Sequence, residues 1–317
     1  MSIPERPLLA PWYRLVEDGE RLLFEHGQTL VILEGAAVKA FLPALLPLLD
    51  GTRTYDDLVE CLGPAARPAV DLALEAFASN GLLVEGPDVA PGMQAAAHAL
   101  ASMLDVPPRL AAERLGDAAV AVIGSSRVRP EVVRLLRASG VGRVSLEAWD
   151  SEAPSDLAVV IPAPGERAEL DRWNRAANAR RVRWLPVSPY DGRFAGVGPL
   201  IVPHESCCFE CFVRRRSSNS AFAEHFGAVD AAPLAARGDP ALEAFVCALA
   251  AHLAVRWIGG RDTTLPGVLY AVEARPALSL GEHAVLRVPR CPVCSNVELV
   301  PGRLPWHEAH ASEQVRA

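Results

Sequence analysis

Short β-branched runs that give way to helix-period segments over the first 90 residues, and a strand–helix–strand alternation from residue 118 onward, predict an α/β protein in two parts. The first, residues 1–90, reads as a winged-helix α+β module. The second, residues 91–317, reads as a Rossmann-like domain carrying a tetrathiolate zinc site on two CxxC pairs. A break in charge supports the division. Residues 1–90 hold 14 Asp and Glu against 6 Lys and Arg, a net of −8, whereas the remainder holds 24 against 25. The stretch Glu85-Gly-Pro-Asp-Val-Ala-Pro-Gly92 lies at that break and reads as a linker.

In the first module, Arg21–Glu25 and Thr29–Leu33 are strand-like runs joined by His26-Gly27-Gln28, with Tyr13–Val16 as a third strand. The period then becomes helical. Val38, Phe41, Leu42, Leu45, Leu46 and Leu49 fall on one face and stop at Asp50-Gly51, and Pro43 and Pro47 predict a kink or split. Thr54-Tyr-Asp-Asp57 has the form of a capping box, with Asp57 in place of the usual Glu. A third helix over Pro68–Ala78 carries Val70, Leu74 and Phe77 as a stripe, and Leu82–Val84 returns as a strand.

A sheet with three helices in this order invites a DNA-binding reading. The third helix offers one arginine and two acids, whereas a recognition helix needs cations and amides to reach phosphates and bases. With a net charge of −7 and one lysine in the chain, Lys39, nucleic acid is excluded as a partner. The N-terminus lacks the apolar run of a signal peptide, and no stretch reads as a membrane span, so a cytoplasmic protein with reduced cysteines is expected.

In the second part, strands are predicted over Ala118–Ile123, Gly140–Leu146, Asp156–Ile161 and Arg183–Val187, with helices over Pro130–Ala138 and around Glu166–Ala177. A nucleotide site on such a sheet needs glycines after the first strand, so that the backbone can approach phosphates. Here the loop reads Gly124-Ser-Ser-Arg-Val-Arg-Pro130, with one glycine and two arginines. At the end of the second strand, Leu146-Glu-Ala-Trp-Asp150 puts Ala148 where a ribose-binding acid belongs. No ATP is expected to bind.

The chemistry-bearing signal is in the cysteines. Cys208-Phe-Glu-Cys211 and Cys291-Pro-Val-Cys294 each grip one edge of a tetrahedral ion, and four thiolates make a closed structural zinc site with no open position. The gap between the pairs is 79 residues. Cys207 is off the spacing, and Cys61 and Cys247 read as small buried apolar residues. The basic run Phe212–Ser217 reads as a solvated face, with contact to the acidic first domain or a partner as the alternative, and His307 and His310 as a chance pairing.

The strand Thr29–Glu34, the phrase Leu48-Leu-Asp-Gly-Thr-Arg-Thr54 and the ending Phe77-Ala-Ser-Asn-Gly-Leu-Leu83 resemble the PqqD-like peptide-recognition domain of ribosomal-peptide biosynthesis. That resemblance implies that a leader peptide adds as a strand at Leu30, Val31 and Ile32, against a helix wall of Val70, Leu74 and Phe77. Gly196-Val-Gly-Pro-Leu-Ile-Val-Pro203 ahead of Cys208, and Pro289-Arg-Cys-Pro-Val-Cys294, resemble the ThiF/E1-like family with its two distant knuckles.

Joined, the two parts resemble the ocin-ThiF-like (cyclodehydratase C-type) proteins, the leader-binding components of azole-forming cyclodehydratases for thiazole/oxazole-modified microcins and thiopeptides. The resemblance implies a non-catalytic adaptor that binds a precursor leader and presents its core to a separate YcaO protein, where ATP-dependent azoline formation takes place. It also implies a homodimer through the second domain. The rival reading is an active E1-like enzyme that adenylates a peptide or carrier-protein C-terminus.

Overall fold

The computed structural model describes residues 2–233, 238–274 and 276–295. Packing gathers the chain into two compact units: Met1–Val120 with Glu131–Ser145 and Ala251–Thr263, and Ala121–Pro130 with Leu146–Ala250 and Thr264–Ala317.

The first unit opens with β1 (Pro7–Leu9), then a meander of β2 (Arg14–Asp18), β3 (Arg21–His26) and β4 (Thr29–Glu34). These three pair antiparallel in the order β2-β3-β4, so among the described residues β4 has one unpaired edge. The helices α1 (Ala36–Leu45), α2 (Tyr55–Leu62) and α3 (Arg67–Ser79) follow. Helix α1 contains Pro43 and gives way to a short 3₁₀ turn over Leu46–Leu48, as the two prolines predicted. Helix α2 begins with the predicted capping box: Thr54 and Asp57 exchange side-chain and backbone hydrogen bonds. The core is the apolar stripe of α3 against the inner sheet face, with Phe24 and Phe77 edge to face at 5.8 Å.

Strand β5 (Leu83–Glu85) pairs with β1 rather than with the meander, in the register Pro7↔Glu85 to Leu9↔Leu83. The stretch read as a linker is fastened in place. Glu85 accepts the Glu5 and Arg6 N–H groups at 2.8 and 2.9 Å, and Asp88 receives Gln94 and His98. Gly86 packs on Gly51 so closely that a Cβ would fall 2.2 Å from the Gly51 Cα. Two helices the sequence reading passed over, α4 (Gln94–Leu104) and α5 (Pro108–Asp117), lead to the large sheet.

Its elements are β6 (Ala119–Ile123), α6 (Arg129–Ala138), β7 (Arg143–Glu147), β8 (Leu157–Val160), α7 (Arg167–Arg180), β9 (Trp184–Ser188), β10 (Phe194–Val197), α8 (Phe209–Ser218), α9 (Phe226–Ala231), α10 (Pro240–Val255), β11 (Val268–Glu273) and β12 (Ser279–Ala284). The sheet order is β12-β11-β10-β9-β8-β6-β7, with β8 and β9 parallel and β9 to β12 antiparallel. The predicted alternation through β9 holds. The antiparallel extension β10-β11-β12 was not predicted, because short strands around Gly196 and Gly267 carry little period.

Helix α10 continues through Arg256–Gly260, and Pro240–Gly260 is long and apolar enough to cross a membrane by length and composition. That corrects the reading that no stretch reaches this length. Val246, Ala250, Leu253, Ala254 and Ile258 are buried in the protein, which accounts for the composition of the helix without a bilayer.

Candidate metal centre and peptide-binding edge

The chain brings both CxxC pairs to one buried point in the second unit. Cys208 is the N-cap of α8 and Cys211 lies in its first turn, while Cys291 and Cys294 lie in the turn after β12. All four are at most 1 % exposed, and their sulfurs all lie within 4.8 Å of one another. Adjacent sulfurs are 3.5 to 3.8 Å apart. A tetrahedral zinc with ~2.3 Å bonds to sulfur requires about 3.8 Å between sulfurs, so the square closes around such an ion with little adjustment.

Hydrogen bonds from Cys208 and Cys294, with the Val288 N–H at 3.3 Å, hold the Cys211 thiol far below its ordinary value, and Cys208 is driven up by that same sharing with Cys211. One anion in a dry pocket thus opposes a second. Cys207 packs in the same core outside the square, and burial pushes its thiol up to about 12. Cys247 is buried as expected, whereas Cys61 is exposed on α2.

Two residues missed by sequence reading position the knuckles. Helix α7 places Asn174 and Asn178 one turn apart on one face. The Asn174 Oδ1 accepts the Phe209 N–H at 3.1 Å, and the Asn178 Nδ2 donates to the Val293 carbonyl at 3.0 Å. Each asparagine therefore clips one knuckle. Asn174 is 1 % exposed, so Asn174→Ala leaves an orphaned N–H beside Cys208 and costs about 1–3 kcal/mol. Thermal unfolding of N174A should show the loss directly, as a melting point ~2–10 °C lower.

The basic run after Cys211 is partly exposed, and its arginines have partners within the second unit. Arg214 pairs with Glu210, Arg215 donates to the Leu286 and Arg287 carbonyls, and Arg216 pairs with Asp230. His307 and His310 lie outside the described residues.

The peptide residues expected in the first unit separate into two groups. Strand geometry sends Leu30 and Ile32 to the outer sheet face, 51 % and 50 % exposed, and turns Val31 toward the core. Val70, Leu74 and Phe77 are fully closed off, each 0 % exposed. They belong to the core of the unit, because the stripe that marks a helix face for a ligand also marks it for its own sheet. The accessible part of the expected site is the free edge of β4 with Leu30, Ile32 and, across the register on the same face, Leu23 and Val16.

The second unit also has a crevice at the C-terminal ends of β6, β8 and β9, where ligands enter sheets of this kind. It encloses about 270 Å³ between Ser125–Val128, Pro162–Pro164, Ser188–Tyr190 and the α10 residues Leu242, Glu243 and Val246. Gly124 is required for packing, since a Cβ there would fall 2.2 Å from the Ile161 carbonyl oxygen. Two donors of this loop, the Ser125 N–H and the Arg127 guanidinium, are engaged. The Glu166 carboxylate accepts the Ser125 and Ala163 N–H groups at 3.3 and 2.6 Å, and Arg127 is bound by Glu243 through both oxygens at 2.8 and 3.0 Å. Burial pushes the Glu166 carboxyl up, but hydrogen bonds from Ser125 and Ala163 outweigh it and hold it below the usual range.

No protein-family model matches the sequence, and no curated protein matches it. Solved structures do share the fold. A heterocyclase in complex with substrate and cofactor is 24 % identical over 94 % of this chain, with a TM-score of 0.73. The heterocyclase TruD is likewise 24 % identical, over 92 %, also at 0.73. The chain spans about two fifths of their length, 41 % and 43 %. E. coli MccB with AMPCPP and MccA is 14 % identical, matches 92 % of this chain and 99 % of its own at a TM-score of 0.63, and is also known with ATP. The expectation of a non-catalytic protein is corrected by these matches: the fold is shared with heterocyclases and with the Microcin C7 biosynthetic enzyme MccB, which are enzymes.

Proposed function

We propose that the chain is a component of a peptide heterocyclase. It captures the leader of a ribosomally made precursor along β4 and delivers the core to a YcaO partner for ATP-dependent azoline formation. The observation that carries this reading is the free β4 edge beside exposed Leu30 and Ile32, in a chain whose fold matches heterocyclases over nine tenths of its length. An unpaired strand supplies a row of backbone donors and acceptors, and apolar side chains beside it supply specificity. Holding the leader raises the effective concentration of the core at the partner's active site. The four-cysteine centre holds zinc in a closed structural role: its sulfurs leave no position for substrate. Reconstitution tests the whole reading. The chain, a YcaO protein, ATP and precursor together should remove one water per ring formed, and omission of the chain should abolish the reaction on leader-bearing precursor but not the YcaO protein's ATP binding.

A second reading has one observation in its favour. MccB matches this chain over nearly its full length and binds ATP, so an adenylating enzyme is the alternative. The Glu166 and Arg127 contacts stand against it, because both must break before a triphosphate enters. Calorimetric titration with MgATP is expected to give no saturable heat up to millimolar nucleotide, while saturable heat would favour adenylation.

A further inference from the structure

A second cavity of about 250 Å³ lies in the same unit. Phenyl rings dominate its wall: Phe194, Phe209, Phe212, Phe222 and Phe226, with Leu269 on β11. Two apolar side chains at its mouth are left in water, Phe222 at 50 % and Val229 at 53 % exposed. Exposed apolar groups beside an apolar hollow mark a place where something else is buried.

The charges around it identify what that is. Arg167 and Arg216 both close on Asp230, at 2.7 and 3.2 Å, and Arg167 also pairs with Asp171. Their guanidinium planes lie over rings of the wall, Arg167 at 5.0 Å from the Phe209 centroid and Arg216 at 5.5 Å from those of Phe212 and Phe226. Asp191 accepts the Arg193 and Phe194 N–H groups, and Glu166 accepts those of Ser125 and Ala163. Every charged side chain of the lining among the described residues thus has a hydrogen-bond or ion-pair partner, and the rings that make up most of the wall offer nothing to replace the water around a charged ligand. Such a wall suits a neutral, apolar group.

Its shape follows from continuity. The cavity shares Pro162–Pro164, Ser188 and Pro189 with the crevice at the strand ends, so the two hollows lie on either side of one wall. A ligand reaching from one to the other is elongated, as a peptide segment is. We infer that the phenylalanine-lined cavity binds an uncharged apolar side chain, aromatic or branched aliphatic, of the peptide whose backbone crosses that wall. This rests on the peptide-substrate reading above and deepens it: it assigns the substrate an apolar anchor outside its leader.

The test uses the whole protein and N-acetyl-L-phenylalaninamide as probe, followed by saturation-transfer NMR, with the capped glutamate analogue as a charged control. Saturable binding of the aromatic probe and silence of the charged one are expected. Val229→Asp, at an exposed position, and Ala271→Phe, which fills the cavity from β11, should each weaken the probe by about tenfold or more. Their melting points should stay within a few degrees of the parent, and leader titration should be unchanged in both. Absence of saturable probe binding, equal binding of the charged analogue, or indifference to both variants overturns the assignment. Loss of leader binding in the parent protein, with probe binding intact, overturns the leader reading and leaves the cavity standing.

Discussion

Cys211→Ser is expected to release the metal and lower the melting point of the protein by about 10–20 °C, while the parent protein carries one zinc per chain by elemental analysis. The sulfurs of the centre lie among Trp184, Phe209, Phe212 and Leu170, with no water-facing side. Zinc bound to thiolates supplies folding free energy directly, on the order of 10 kcal/mol in isolated fingers. In a unit that has its own core, a loss of about 5 kcal/mol is the expected remainder, and each kcal/mol moves the midpoint of a unit this size by about 2–4 °C. Cys211 is chosen because it also receives the Val288 N–H, so the serine variant disturbs the second knuckle along with the first. Chelation of the parent protein should reproduce the shift, and zinc should restore the parent alone. A melting point unchanged by both treatments would sink the structural-zinc reading.

Ile32→Glu should weaken labelled leader by about tenfold to a hundredfold in fluorescence anisotropy, with the fold intact. Both halves of that expectation come from placement. At 50 % exposure, a charge at Ile32 stays solvated, so stability hardly changes. In an occupied edge the same charge is buried against the incoming strand, and loss of an apolar anchor there costs about 1–3 kcal/mol. Leu30→Glu should behave alike. Leu74→Asp would also abolish binding, but only by unfolding the first unit, because that side chain is fully enclosed. Circular dichroism separates the cases: I32E keeps the parent spectrum and L74D loses it. Full leader affinity in both I32E and L30E would move the peptide away from β4.

The four-cysteine cluster was readable from the sequence because it depends on residue type and short spacing, and both survive in one dimension. The Thr54–Asp57 cap and the strands β2 to β4 were readable for a similar reason, since local propensity and turn chemistry agree there. The β1–β5 pair was not readable. It joins residues some 75 positions apart, and neither three-residue run has a period. Asn174 and Asn178 carried no signal that separates them from any polar helix face, since their meaning comes from the knuckles they touch. The α3 stripe was readable, and the structure packs it into the core of the first unit. Periodicity shows which face is apolar and is silent on what covers it. Glu166 is a similar case: only the fold brings it under the Ser125 and Ala163 N–H groups.

The spacing of the two cysteine pairs has a topological consequence. Cys208 and Cys211 meet Cys291 and Cys294 through space, so a metal held by all four would close the 79 residues between them into a ring of chain, with the ion as its clasp. Strands β11 and β12 and the helices α9 and α10 all belong to that ring. A single cut in the backbone anywhere within it would leave both fragments moored to the same ion, and the nicked molecule would migrate as one piece until the metal was withdrawn.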